Sequence, residues 1–211
     1  MRINHHNLRS SDNQTMLSII IPAYDIIPDT KQVKEALKGI DHEIIVQYDI
    51  DGEGKGATLR RGFKYTKGEF IAWLDADMEI PPIQLIGMLE TMKETRADVV
   101  IGSKLLNLKN VKYPLSRLLL SWVGYMIIKI LFKLPVHDTQ TGIKLFRREA
   151  LRGKWVIDGF GHDVEVLYCA HKRMYKIVEY PIYIPKKLRG SVTLMSVLRT
   201  LKEVLWVRFI I

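Results

Sequence analysis

Asp75-Ala76-Asp77 closes an apolar segment, Phe70 to Leu74, and is followed at once by Glu79 and a Pro81-Pro82 turn. Two carboxylates so spaced at the end of a strand can converge on one hard cation through oxygen ligands, and Glu79 could be a third ligand. A divalent ion held this way can bridge a diphosphate and neutralise the charge that builds on it as a leaving group. Aspartate is also frequent in ordinary turns, where it bonds to its own backbone, so the triplet alone leaves a plain turn open.

A second group with chemical potential is Gly54-Lys55-Gly56, at the start of a helical stretch. Backbone N–H groups at a helix start, assisted by the helix dipole and the Lys55 charge, can cradle a phosphate; a simple glycine-rich turn is the competing reading. Neither the GxGxxG nor the Walker pattern is present, which weakens dinucleotide and P-loop assignments. His137, His162 and His171 have no metal-ligand spacing. Cys169 is the only cysteine; it permits no intramolecular disulfide and reads as a small apolar residue in the interior. The four tryptophans read as core or interface residues.

The elements that must position these groups alternate. Leu17 to Pro22 is an apolar, β-branched run suited to a strand buried on both faces. Asp29 to Gly39 reads as a helix capped by Asp29 or Thr30 and stopped by Gly39. Glu43 to Val46 is a second strand, Gly54 to Tyr65 a helix, Phe70 to Leu74 a strand, Ile83 to Thr95 a helix and Asp98 to Gly102 a strand. After a long apolar and basic stretch come Asp138-Thr139-Gln140-Thr141-Gly142, a helix near Asp163 to Arg173 and a short strand at Lys176 to Ile182. Such alternation predicts an α/β fold with an open, mostly parallel sheet. Sheets of this kind bind ligands outside the carboxyl ends of their strands, where Asp75, Asp77 and Glu79 would lie.

Tyr113 to Lys133 and Val192 to Ile211 are apolar but interrupted by cations: Arg117, Lys129 and Lys133 in the first, Arg199, Lys202 and Arg208 in the second. In the second, Val197, Leu198, Leu201, Val204 and Leu205 recur at helical spacing. A membrane span needs about 20 apolar residues, and the nearest candidate, Leu115 to Leu134, is interrupted. Helices lying in the headgroup region fit both stretches, with burial in the core as the rival for the first. Residues 1–15 are polar and lack the apolar run of a secretory signal; they read as a flexible arm before one domain at 16–211.

The chain has 211 residues, 47% of them hydrophobic, which suits one domain with a substantial core. Its net charge of +9 favours an acidic partner: nucleic acid, an anionic membrane or a phosphorylated small molecule. No recognised nucleic-acid motif is present, so no nucleic-acid partner is expected.

Taken in order, several short pieces resemble the family 2 glycosyltransferases of GT-A fold, and among them the polyprenyl-phosphate sugar transferases typified by dolichol-phosphate mannose synthase. The pieces are Ile21-Pro22-Ala23-Tyr24, Gly54-Lys55-Gly56-Ala57 with Arg61-Gly62-Phe63, Asp75-Ala76-Asp77, Gly102-Ser103-Lys104, Asp138 to Gly142 with Lys144-Leu145-Phe146, Asp163-Val164-Glu165, and Glu179 to Ile182 followed by Arg189-Gly190-Ser191. The resemblance implies a single GT-A, Rossmann-like domain and inverting transfer of a hexose from a nucleotide-sugar, of the GDP-mannose or UDP-glucose class, to a polyprenyl or dolichyl phosphate. It implies that Asp75, Asp77 and Glu79 hold Mg²⁺ or Mn²⁺, and that Pro22, Ala23, Tyr24, Asp25, Asp49, Asp51, Lys55, Ala76 and Asp77 contact the donor. Lys104, Arg117 and Ser121 would grip the acceptor phosphate. Arg189 would lie on a loop closing over the donor, and Asp138, Gln140, Asp163 and Glu165 would belong to a structural or acceptor motif. The helices at about 113–134 and 192–211 would rest on an anionic membrane, which makes the protein monotopic on a cytoplasmic face and leaves room for a separate anchoring partner.

Two departures stand out. The family's acidic nucleotide contact after Pro-Ala-Tyr is missing or has moved to Asp25. Between Glu43 and Lys55 a helix and a strand of the family pattern are absent, leaving Asp49 and Asp51 as stand-ins for the base-contacting aspartate. Two other readings remain: transfer to a soluble glycan or protein, with Asp163 or Glu165 as base, and a degenerate transferase scaffold that only docks to membrane or nucleic acid.

Overall fold

The computed structural model describes residues 16–106, 125–153, 155–185 and 194–210. The arm at 1–15, the stretch 107–124 and the segment carrying Arg189 lie outside the described residues, as do Arg117 and Ser121.

Six strands form one sheet: β1 (Leu17–Ala23), β2 (His42–Tyr48), β3 (Phe70–Leu74), β4 (Val99–Ser103), β5 (Ile143–Arg147) and β6 (Ile177–Pro181), in the order β2-β1-β3-β5-β4-β6. Every pairing is parallel except the two made by β5, which lies antiparallel between β3 and β4. The mostly parallel α/β sheet is as the sequence predicts. The insertion of β5 is not: its five residues contain Lys144 and Arg147 and offer no alternation that marks a strand.

Helices cover both faces. On one, α1 (Thr30–Ala36) and α3 (Gln84–Thr95) pack Val33, Leu85, Met88 and Met92 against Ile19, Ile21, Ala72 and Leu145. On the other, α2 (Lys55–Phe63), α4 (125–132), α5 (His162–Lys172) and α6 (Leu194–Ile210) pack Leu59, Phe132, Val164, Val204 and Val207 against Ile20, Ile71, Trp73 and Phe146. Neighbouring residues of β1, Ile19 and Ile20, thus enter opposite layers, as pleated strand geometry requires. Each fully buried side chain of this kind contributes about 1.5–3 kcal/mol.

Local signals set the boundaries. Asp29 caps α1 by accepting from the N–H groups of Lys31 and Gln32 at 3.1 and 3.3 Å. The helix is shorter than predicted, because the chain turns after Ala36 and Gly39 takes a positive φ of 91°. Arg96, left-handed at φ 53°, ends α3.

β2 forms one edge of the sheet, and Ile44, Ile45 and Val46 are only half-buried there. From its end the chain runs through 49–54 straight into α2. No strand lies beyond β2 among the described residues, as the short Glu43 to Lys55 spacing implies.

Candidate active site

The carboxyl ends of β1, β2, β3 and β4, the amino end of antiparallel β5 and the starts of α2 and α5 meet on one rim of the sheet. β3 delivers Asp75, whose N–H donates to the Gly142 carbonyl at 2.9 Å. Gly142 sits so close that a Cβ there would collide with the Asp75 carboxylate, so this position requires glycine. Asp77 Oδ1 accepts the Glu79 N–H at 3.1 Å, and Met78 between them is left-handed at φ 50°. The turn therefore leaves Asp77 more exposed than half-buried Asp75, although neighbouring groups still shield its carboxylate in part from water.

Lys55 reaches the same point from α2. Its Nζ lies 2.6 Å from Asp75 Oδ1. Burial opposes its charge, but Asp75, then Asp163 and Asp77, outweigh that and hold the ammonium above the usual lysine range. The Asp77 carboxyl is pushed upward by desolvation and by repulsion from Asp75 and Glu79; the Glu79 N–H and Lys55 work against the rise.

A second ion pair lies deeper. Lys144 of β5 and Asp163 of α5 are 2.6 Å apart, with 1% and 3% of their side chains exposed, and Lys144 Nζ also donates to the Thr141 carbonyl at 2.6 Å. Burial and the Lys55 charge lower the Lys144 pKa against the pull of Asp163. Asp163 stays below the usual carboxylate range despite burial, through His162, Lys144 and Lys55. His162 is itself lowered to about 4, chiefly by burial, so at neutral pH the two lysines carry that stabilisation. Its Nδ1 lies 2.8 Å from the Gly159 carbonyl, which can only accept, so Nδ1 bears the proton.

The glycines of the Gly54-Lys55-Gly56 segment serve packing. The N–H groups of Gly56 and Ala57 both donate to the Asp158 carbonyl, at 2.7 and 3.3 Å, and a Cβ on Gly54 or Gly56 would strike that backbone. The amides of Gly56 and Ala57 are thus taken by the Asp158 carbonyl and that of Gly54 by the Asp49 carboxylate, which accords with the glycine-rich turn rather than the phosphate cradle.

Residues 26–153 match the family described as glycosyl transferase family 2. The chain belongs to that family. An undecaprenyl-phosphate mannosyltransferase of Micrococcus luteus is 30% identical over 162 residues, which cover 72% of this chain and 65% of the relative. A dolichyl-phosphate beta-glucosyltransferase of Trichomonas vaginalis is 32% identical over 137 residues, covering 61% of this chain and 42% of the relative. A dolichol-phosphate mannosyltransferase of Pyrococcus furiosus is 24% identical over 208 residues, covering 83% and 58%. The chain thus spans less than two thirds of the length of each of these relatives. Among solved structures, glucosyl-3-phosphoglycerate synthase from Mycobacterium tuberculosis, in complex with Mn²⁺, UDP-glucose and phosphoglyceric acid, superposes with a TM-score of 0.72 at 15% identity. That superposition covers 93% of this chain and 81% of that one. At that identity the likeness establishes the GT-A-like fold.

The remaining candidate residues of this family 2 transferase divide in two. Pro22 and Ala23 close β1, and Tyr24, Asp25 and Asp51 are exposed above it. Asp49 is already engaged: its carboxylate accepts the N–H groups of Glu53 at 3.0 Å and Gly54 at 2.9 Å and faces Arg61 at 3.7 Å. Lys104 pairs with buried Asp138 at 3.1 Å, and the Asp138 carboxylate also accepts the Lys104 N–H at 3.0 Å. Gln140 is exposed, whereas Glu165 is buried with its carboxylate accepting from Val156 and Ile157 at 2.7 and 3.0 Å. Glu165 thus braces the 155–158 loop. Among the described residues no three metal-capable side chains converge on one point, so Asp75, Asp77 and Glu79 do not form a ready-made three-ligand site. Lys144 figures in the sequence only as part of the Lys144-Leu145-Phe146 piece, with no role assigned to it, and its buried ion pair with Asp163 has no signal there.

Proposed function

We propose that the protein transfers a hexose, with inversion, from a nucleotide-sugar of the GDP-mannose or UDP-glucose class to a polyprenyl or dolichyl phosphate at a membrane surface. The observation that carries this is the Asp75 and Asp77 pair at the carboxyl end of β3, beside the cationic Lys55, in a family 2 chain whose similar relatives bear polyprenyl-phosphate transferase names.

An oxygen of the lipid phosphate attacks the anomeric carbon while that carbon's bond to the diphosphate oxygen breaks, and the electron pair leaves with the nucleoside diphosphate. An ionised phosphate is already a nucleophile, so no strong general base is required. Positioning and charge stabilisation then carry most of the rate.

Asp75 and Asp77 suit a divalent cation in part. The Asp77 carboxyl is raised chiefly by burial and in smaller part by repulsion from Asp75 and Glu79, which a cation would relieve, while one Asp75 oxygen is taken by Lys55. Mg²⁺ or Mn²⁺ held by Asp75 and Asp77, with Glu79 nearby, would neutralise the departing diphosphate. Lys104, braced by Asp138, would meet the acceptor phosphate together with Arg117 and Ser121, and Arg189 would close over the donor. Tyr24, Asp25 and Asp51 are left to contact the nucleotide.

Transfer to a hydroxyl on a soluble acceptor would need a free carboxylate as base. Asp163 is committed to Lys144 and Glu165 to two backbone N–H groups, which favours the phosphate acceptor.

Membrane docking is supported by two helices. Ile130 of α4 and Leu205, Trp206 and Phe209 of α6 are exposed beside Lys129, Arg199, Lys202 and Arg208. Exposed apolar residues rimmed by cations suit an anionic interface. Among the described residues no helix is long and apolar enough to cross a membrane. We place the protein as monotopic on a cytoplasmic face, with or without a separate anchoring partner.

Incubating the protein with short-chain polyprenyl phosphate, Mg²⁺ or Mn²⁺ and a panel of nucleotide-sugars tests this by mass spectrometry of the lipid. A glycosylated lipid phosphate is expected, with Asp77→Ala reducing its rate about 100-fold or more, the scale of losing one site of developing-charge stabilisation. No product from any donor would reject the proposal.

A further inference from the structure

The ammonium of Lys55 stands on an oxygen of Asp75 that the proposed metal would need. Its Nζ is 2.6 Å from Asp75 Oδ1, and only 16% of the lysine side chain is exposed. The other Asp75 oxygen is pressed against Gly142. Lys55 is held there by its backbone: Gly56 and Ala57 donate to the Asp158 carbonyl, and neither Gly54 nor Gly56 has room for a side chain. Only the flexible end of Lys55 is free to move.

We propose that Lys55 is the resident counter-cation of Asp75 and makes divalent-metal binding conditional on the donor's diphosphate. Without nucleotide, a divalent ion must displace a buried ammonium whose other near carboxylates among the described residues are committed, Asp163 to Lys144 and Asp77 to the proposed metal itself. A diphosphate brings its own negative charge into the rim. Lys55 can transfer to it, which frees Asp75 for the metal, and the two ligands assist each other. By reciprocity the metal must strengthen diphosphate binding by the same factor. The inference rests on the nucleotide-sugar reading above, and it assigns Lys55 a positioning role distinct from a fixed phosphate contact.

The test is Mn²⁺ binding followed by electron paramagnetic resonance, with the metal alone and then with UDP or GDP, corrected for the metal–nucleotide complex formed in solution. The wild-type protein should bind Mn²⁺ weakly by itself and about 10-fold or more tightly with a diphosphate, within the usual range of coupling between sites. Lys55→Met should shift the two affinities in opposite directions: Mn²⁺ alone binds more tightly, and the diphosphate binds more weakly when Mn²⁺ is present. Lys55→Arg, which keeps the charge, should leave Mn²⁺ alone as weak as in the wild type. Equal Mn²⁺ affinity in the wild type with and without diphosphate would overturn the proposal, and that measurement stands even if Lys55→Met fails to fold. So would a folded Lys55→Met that binds Mn²⁺ alone no better than the wild type. If neither UDP nor GDP binds under any condition, the nucleotide-sugar reading fails, and tighter Mn²⁺ binding by Lys55→Met would still uphold Lys55 as the counter-cation of Asp75.

Discussion

Two parts of the same rim are built in opposite ways. Around β3, β5 and the start of α5, four charged side chains are locked into two close ion pairs, Lys55 with Asp75 and Lys144 with Asp163, the second almost wholly buried. Around the ends of β1 and β2 the surface is open: Tyr24 is 65% exposed, Ile27 86% and Ile50 85%, and β2 has no neighbour on its outer side among the described residues. The charged groups of the first part are thus paired by the fold, whereas the side chains of the second are few and loosely framed.

The sharpest way to test the rigidity of the first part is to remove one of its charges. Lys144→Met leaves Asp163 buried without its closest cation, and breaking such a pair costs about 3–5 kcal/mol. Urea denaturation should show that loss as a lower midpoint. A loss under about 1 kcal/mol would mean that water reaches Asp163, and the contrast with the open edge would collapse.

Acid titration probes the same region more gently. His162 has its pKa lowered to about 4 from 6.5, so between those values the unfolded chain binds the proton and the folded one does not. Stability therefore rises with pH across that window and is lost as pH falls from about 6.5 to 4, by about 3 kcal/mol for this group. Thermal melts at successive pH values should show the slope in the wild type and a shallower one in His162→Phe. Equal slopes would place the acid sensitivity elsewhere. Asp163 works in the same direction: its lowered pKa gives stability above the ordinary carboxylate range that is lost as pH falls further.

How legible each part is in the sequence follows the same division. β1, β3 and the acidic pair are marked by unbroken apolar runs and a short motif, and all fall where the sequence puts them. β5 is not legible as a strand because its second residue is Lys144, a residue type almost never buried unless paired, and its partner lies 19 positions on, at Asp163. Likewise, Gly54 and Gly56 look like a phosphate loop because glycine signals only that something comes close. Here the close group is the Asp158 carbonyl, about a hundred residues away, and a backbone atom has no signature in sequence. The role of Glu165 was hidden for the same reason, since both of its partners are main-chain N–H groups.

The open edge has one firm point, and removing it should have the smallest effect. Asp49 holds the 49–54 segment through the N–H groups of Glu53 and Gly54, and its own N–H donates to the Ala23 carbonyl at 2.8 Å. Asp49→Ala keeps that last bond but frees both amides, which lie near solvent and can turn to water. The expected loss of global stability is only about 1 kcal/mol, whereas hydrogen exchange at Glu53 and Gly54 should accelerate about 10-fold as the segment opens locally. If the segment also frames the donor, KM for the nucleotide-sugar rises while kcat holds, because α2 remains fastened to Asp158 and Lys55 keeps its place. A fall in kcat comparable to that of Asp77→Ala would show instead that the edge and the ionic rim act as one unit.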